Sequence, residues 1–273
     1  MRIVVFGANG PTGRVLVSQS LQAGHTVTAV TRRPDAFPRF GAALRVVAAD
    51  VHDVDAVSTA VAGHDAVLSS LGVPYSRGPV TVYSEGAAHI LSAMERHAVR
   101  RLVCVSASLV EPQLGPHGGF LVDKVAGPLV RYFGRTVYAD MARMEALVRA
   151  SDAEWTIMRP SGLFETTQVT EYRTAEDYLN ASFTSRADLA DAMRKQLDSD
   201  EFVRKVCAVG TFDEKPSLLR LLLREGSSRR GLPMPDHSAD ALTRADAPAP
   251  PPGAGAPPSR TRRRRPRATG RSG

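Results

Sequence analysis

Cysteine is nearly absent from this 273-residue chain: there are two, Cys104 and Cys207, each inside an apolar run. That leaves no disulfide framework, and both read as small core residues in a reducing compartment. No apolar run approaches the length of a membrane span, and an apolar strand already under way at residue 2 leaves no room for a secretory signal. A cytoplasmic protein without a membrane partner is the expectation. The histidines form no ligand set, since His25 sits in a turn and His89 and His97 lie eight apart on a helix without cysteine or carboxylate partners, so no metal is expected. Lysine is scarce too, with four in the chain, which leaves few ammonium groups to pair with a tyrosine.

What is present begins at once. The apolar run Arg2 to Phe6 enters Gly7-Ala-Asn9-Gly10-Pro11-Thr12-Gly13. Glycines at three-residue spacing allow a tight turn, a close approach of phosphate to the backbone, and close packing of the next helix on the strand. A helix from Thr12 to about Ala23 would aim its N-terminal amides and positive dipole end at a pyrophosphate. Gly24-His25 stops that helix, and a second strand runs from Thr26 to Val30, completing a strand–helix–strand unit of ~30 residues, the context this motif requires.

The end of the second strand bears on which dinucleotide is held. A site for NAD places an acidic residue there to accept from the ribose 2′-hydroxyl. This chain has Thr31-Arg32-Arg33-Pro34, and two guanidiniums favour the 2′-phosphate of NADP over NAD by charge and by bidentate geometry. A solvated strand end is the alternative.

Charge is unevenly spread. The last 48 residues hold ten arginines, three aspartates and nine of the 19 prolines, so positions 1–225 carry 25 basic and 25 acidic residues and the whole +7 excess belongs to the tail. Residues 226–273 cannot bury enough apolar area to offset chain entropy and are expected to be a disordered Pro/Arg-rich tail. Such a tail could serve as an arm for nucleic acid or an anionic surface, be ignored by the folded body, or arise from reading a GC-rich coding region in a shifted frame.

Along the body, extended runs at Leu44–Ala48, Ala66–Ser69 and Leu102–Val105 alternate with helical patterns at Val54–Ala62 and Val80–His97. Beyond Ser106 follow helical stretches at Val122–Tyr132 and Thr136–Ala150, a strand Trp155–Met158, an irregular stretch from Arg159 to Phe183, a helix capped by Ser185, and a last strand at Val203–Val209. Apolar strands separated by amphipathic helices predict an α/β fold with a doubly wound parallel sheet, a Rossmann fold. Residues 1–225 form one domain in this reading, with substrate-side elements mainly at 107–135 and 159–185.

Ligands in such sheets lie beyond the carboxyl ends of the strands. The residues there are Asp50-Val51, Leu71-Gly72, Ser106-Ala107-Ser108 and Arg159-Pro160-Ser161. Asp50 could accept from the adenine amino group while Val51 packs on the ring, and Leu71-Gly72 would let backbone approach the ribose or nicotinamide. Ser106 or Ser108 could orient the carboxamide or an acceptor. Tyr138, on a helix with Asp140, Arg143 and Glu145, could face the crevice or be core. Arg159 could bind an anionic group or the cofactor, or form a salt bridge to a helix, and Pro160 is expected to stop its segment from continuing as a helix or paired strand.

The glycine-rich run, Thr31-Arg-Arg-Pro34, Asp50-Val51 and Trp155-Thr-Ile-Met-Arg-Pro160 together resemble atypical short-chain dehydrogenase/reductase proteins, specifically the NAD(P)-binding branch of NmrA-like proteins and flavin (biliverdin-IXβ) reductases. The resemblance covers about residues 1–224. It implies that Gly7, Asn9, Gly10, Pro11, Thr12 and Gly13 touch the cofactor phosphates, Arg32 and Arg33 the 2′-phosphate, and Asp50 and Val51 the adenine, with Leu71, Gly72 and Ser106 further along the cofactor.

One departure matters. The broader superfamily uses a Tyr-x-x-x-Lys pair, the ammonium lowering the phenol pKa for proton transfer. No tyrosine here has a lysine four residues on. The resemblance then implies hydride transfer to a flavin, quinone or similar planar acceptor, whose electronics need less help from a protein acid. The alternatives are a dinucleotide-sensing regulator like NmrA, which would need a protein partner and no turnover, and a sugar-nucleotide epimerase relative, which would normally need the missing tyrosine.

Overall fold

The computed structural model describes residues 1–213 apart from 76–77, 112–113, 116–123 and 125–126. The expected tail, 226–273, lies outside the described residues, as do residues 122–123 and 125–126 at the start of the helical stretch expected from Val122.

In chain order the elements are β1 (Arg2–Phe6), α1 (Pro11–Gln22), β2 (Thr26–Thr31), β3 (Leu44–Ala48), α2 (Val54–Val61), β4 (Ala66–Ser69), α3 (Val82–Arg96) and β5 (Arg101–Val105). They continue with α4 (Gly127–Phe133), α5 (Arg135–Ala150), β6 (Glu154–Pro160), β7 (Gly162–Phe164), β8 (Tyr172–Glu176), β9 (Phe183–Ser185), α6 (Arg186–Lys195) and β10 (Lys205–Thr211). The main sheet has the order β3-β2-β1-β4-β5-β6-β10-β8. Every pairing in it is parallel except β10 with β8. This is the doubly wound α/β fold, and its order reverses between β1 and β4, where such sheets open a crevice for ligands.

Alternation along the strands builds two cores. Val4, Phe6, Val67, Leu102, Cys104 and Ile157 face α2, α3 and α5. Ile3, Val5, Leu68, Val103, Met158 and Cys207 face α1 and α6. Both faces of the central strands are therefore apolar, which is why those segments read as short continuous hydrophobic runs. Each fully buried aliphatic side chain contributes ~1.5–3 kcal/mol relative to exposure. Among the described residues no helix is long and apolar enough to cross a membrane.

Three local expectations are corrected. The stretch from Arg159 to Phe183 is not irregular throughout: β7 pairs with β9 in a small parallel sheet, and β8 joins the main sheet as its antiparallel edge. The strand expected at Trp155–Met158 runs from Glu154 to Pro160: Pro160 is itself paired, opposite Val209 in the register of β6 with β10, and the strand ends on it. The last strand starts at Lys205, because Val203 is spent on a turn in which its N–H donates to Asp200 O at 3.1 Å, and Arg204 has φ of +57°. The expected cap is present: Ser185 Oγ accepts from Asp188 N at 3.0 Å, opening α6.

Candidate functional site

The turn after β1 is built against the end of β4. Ser70 N and Ser70 Oγ both donate to Phe6 O, at 3.0 and 3.2 Å. Gly7 has φ of +71°, and a Cβ there would lie 2.5 Å from Ser70 O. A Cβ on Gly13 would lie 2.2 Å from Gly7 O. Glycine at these two positions is thus required by packing: it lets the turn fold flat and brings the first turn of α1 directly behind it. Gly10 N donates to Gly7 O and Arg14 N to Gly10 O, each at 3.0 Å. Gly10 is the N-cap and offers no side chain to the helix, while Pro11 fills the first position and carries no N–H. The first-turn amides of Thr12 and Gly13 are left for a ligand, and a pyrophosphate fits that donor set.

Two side chains of the turn are held from behind. Asn9 Oδ1 accepts from Arg14 Nε and Nη2 at 3.0 and 2.7 Å. Thr12 Oγ1 accepts from Arg186 Nη1 at 2.9 Å. Arg186 opens α6 and comes from 174 residues away, so no local pattern in the sequence pointed to it.

At the end of β2, Arg32 and Arg33 are exposed. Arg32 Nη1 lies 4.0 Å from Asp50 Oδ2, with side chains 77% and 42% exposed. Asp50, just beyond β3, therefore stands beside Arg32. Asp50 Oδ1 also accepts from His52 N at 3.1 Å. Val51 is buried, and its carbonyl accepts from His89 Nδ1 at 2.7 Å. Leu71 and Val51 meet over Gly86 of α3, where a Cβ would lie 3.0 Å from Leu71 Cδ1 and 3.4 Å from Val51 Cβ. Gly72 has open space on its Cβ side. The structure thus brings the ends of β2, β3 and β4 to one rim, next to the glycine turn.

The strand ends further along are knitted inward. Ser106 is 2% exposed, and its hydroxyl donates to Glu145 Oε1 at 2.6 Å. Arg159 Nε donates to the same oxygen at 2.9 Å, its Nη2 pairs with Glu145 Oε2, and its Nη1 donates to Glu111 Oε2 at 2.9 Å. Of the roles open to Arg159, the structure shows the salt bridge to a helix. The Arg159 guanidinium holds the Glu111 carboxyl below its usual range by hydrogen bonding, against the opposing effect of burial. Ser108, in the 3-10 turn Ser108–Val110, borders a small cavity shared with Glu111, Arg159 and Ser161, of about 10 Å³, room for about one water. Glu145 carries a signal that sequence reasoning passed over: it lies on the face of α5 that buries Met141, Met144 and Val148.

Tyr138 lies on α5, half-buried, its phenol oxygen 2.8 Å from that of Tyr75 in a hydrogen bond. Burial pushes the Tyr138 phenol well above its ordinary pKa, and the neighbouring Tyr75 adds to this. Its hydrogen-bond partner is another phenol in place of an ammonium, and the charge of Arg131, which favours the phenolate, is outweighed by burial.

Comparison with known proteins agrees with the glycine turn. Residues 7–200 match the family of NAD(P)H-binding domains. A 3-diazoavenalumate denitrifying reductase of Streptomyces is 32% identical over 181 residues, which cover 60% of this chain and 57% of that protein. An uncharacterized protein of Mycobacterium tuberculosis is 34% identical over 151 residues, 54% of this chain and 17% of that protein. The chain thus spans less than two thirds of either relative. Among solved structures, a short-chain dehydrogenase/reductase of Veillonella parvula in complex with NADP superimposes with a TM-score of 0.66 at 19% identity, covering 80% of this chain and 99% of that one. An oxidoreductase of Lactococcus lactis gives a TM-score of 0.66 at 17% identity, covering 82% and 96%. At such identities the likeness to solved structures is one of fold. The family match opens on Gly7 itself and runs through the site described above to residue 200, and the chain belongs to the NAD(P)H-binding family.

Proposed function

We propose that this chain is an NADPH-dependent oxidoreductase of the atypical short-chain dehydrogenase type, acting on a flavin, quinone or similar planar acceptor. The observation that carries the reading is the uncapped N-terminus of α1 behind Gly7 and Gly13, set beside the exposed Arg32 and Arg33. When bound, NADPH supplies the hydride. The chain's part is to hold it: the Thr12 and Gly13 amides on the pyrophosphate, Arg32 and Arg33 on the 2′-phosphate, and Asp50 with Val51 at the adenine. The relative from Streptomyces, a reductase by name, supports a reductive role. The pairing of Tyr138 with Tyr75 supports an acceptor that does not depend on an acidified phenol.

A second reading, an NmrA-like dinucleotide sensor with a protein partner, is favoured by one observation: Ser106 and Arg159 both turn inward to Glu145. The test titrates the full chain with NADPH and NADH, then follows nicotinamide absorbance after addition of flavin and of a quinone. Tighter binding of NADPH followed by its steady oxidation is expected. Tight binding without oxidation would overturn the reductase reading in favour of the sensor, and no binding would overturn both.

A further inference from the structure

The amides at the start of α1 are not the whole of the phosphate site. Thr12 stands in that first turn, and its hydroxyl accepts from Arg186 Nη1 at 2.9 Å. A threonine hydroxyl has one hydrogen to donate and lone pairs to accept with. With an arginine N–H on the accepting side, the hydroxyl hydrogen is directed elsewhere, and no acceptor for it is found among the described residues. The Thr12 amide, left for a ligand by the missing cap, belongs to the same residue.

Arg186 is placed to do this reproducibly. It is the first residue of α6, immediately after the capping Ser185. The helix behind it is fixed to α1 by Gln19 Nε2, which donates to Ala187 O at 3.0 Å. The Arg186 side chain is 22% exposed, with Nε 3.8 Å from Glu165 Oε1. Its charge therefore sits one hydrogen bond behind the phosphate-facing turn, and a partly buried cation polarises the hydroxyl it touches.

We propose that Arg186 is a positioning residue for the dinucleotide pyrophosphate: it donates to Thr12 Oγ1 and so commits the Thr12 hydroxyl as a donor to a phosphate oxygen. The inference rests on the NAD(P)H-binding reading and not on turnover. It also joins two parts of the fold, because Arg186 follows directly on β9, the strand that closes the substrate-side segment against β7. A contact made there reaches the cofactor turn through one side chain.

The test is calorimetric titration of the full chain and of R186A, T12V, T12S, R186A in the T12S background, and the double variant R186A/T12V. The ligands are NADPH, NADH, ADP and adenosine 2′-phosphate. Loss of a hydrogen bond to a charged group predicts roughly tenfold weaker binding of NADPH, NADH and ADP in R186A and in T12V. The double variant should lose no more than either single change, because both remove one linked interaction. Removing Arg186 in the T12S background should cost as much as in the wild type, since serine keeps the hydroxyl. Adenosine 2′-phosphate, which lacks the pyrophosphate, should bind every variant as it binds the wild type. Wild-type ADP affinity in R186A, additive losses in the double variant, or equal weakening of adenosine 2′-phosphate would each overturn the inference while leaving the functional reading intact. A wild-type chain that binds neither dinucleotide would overturn both.

Discussion

Arg159, 1% exposed at the end of β6, holds Glu145 of α5 with its Nε 2.9 Å from Glu145 Oε1. The same carboxylate takes the Ser106 hydroxyl at the end of β5, and Arg159 Nη1 reaches Glu111. One buried cation therefore clamps α5 to the ends of two adjacent strands. Removing either member leaves the other charged and without its partner in the interior, which costs ~3–5 kcal/mol. R159A and E145A are each expected to lose about that much unfolding free energy in urea titrations, with E111A costing much less because its carboxylate is partly exposed. Equal stability of R159A and wild type would show that the clamp contributes nothing net.

Glu111 makes part of this clamp depend on pH. Its folded pKa is depressed by the hydrogen bond from Arg159, so its contribution is fully present above the unfolded carboxylate value of ~4.3. That contribution is lost as the pH falls through the lower folded value. Denaturation midpoints measured from pH 6 down to pH 3 should therefore fall more steeply in the wild type than in E111Q. Parallel acid limbs would rule out this linkage.

Much of this was legible in the sequence, and the misses have physical causes. The strands β1, β2, β4, β5 and β6 are buried on both faces, so their apolar runs are local signals, and α1, α2, α3 and α5 end within two residues of their expected limits. The glycine turn was legible because Gly7 and Gly13 answer to contacts within the turn or with its neighbouring strand. Glu145 could have been found, with Asp140, as a carboxylate on the apolar face of its helix. Arg186 could not, because its partner Thr12 lies 174 residues away. The Tyr172–Glu176 segment carries no apolar alternation, and its strand character comes from pairing with β10.

Among the glycines, Gly13 should be the least replaceable. A Cβ there would sit 2.2 Å from Gly7 O and 2.8 Å from Ala8 O, both backbone, so the turn itself must move. G13A should lose ~1–3 kcal/mol through overpacking and lose nucleotide binding with it. Gly24 gives the contrast: it has φ of +84° but nothing within 4 Å of the Cβ position. G24A should cost only left-handed backbone strain, ~1–2 kcal/mol, and bind nucleotide normally. If G13A binds NADPH as the wild type does, the turn is not the phosphate site.

Under the proposed function, nucleotide choice falls to Arg32 and Arg33, which follow β2, with Arg32 near Asp50. In R32A/R33A the loss of charge-assisted pairs with the 2′-phosphate should weaken NADPH by roughly 2–4 kcal/mol and leave NADH nearly unchanged. The measurement is the ratio of the two dissociation constants. A double variant that weakens both nucleotides equally would remove these arginines from the 2′-phosphate.

The polar segment β8 is tied to the sheet edge from α6. Asp188, fully buried in the first turn of α6, accepts from Thr170 N at 2.7 Å and from Thr170 Oγ1 at 2.8 Å, just before β8 begins. It also accepts from the Thr211 hydroxyl at the end of β10, the strand that β8 pairs with. Three donors on one carboxylate at a helix N-terminus meet both its charge and its hydrogen-bonding capacity. Tyr172, the first residue of β8, donates from its hydroxyl to Asp191 Oδ2 at 2.8 Å, a second tie from α6 to the same edge. D188A leaves those donors facing a void and should destabilise the fold by several times the ~0.5–1.5 kcal/mol of an ordinary hydrogen bond. Y172F removes one bond at a partly exposed site and should cost no more than that single amount. Amide hydrogen exchange of residues 170–176 should accelerate most in D188A and modestly in Y172F. If exchange there is unchanged in D188A, pairing with β10 alone would be enough to hold the edge.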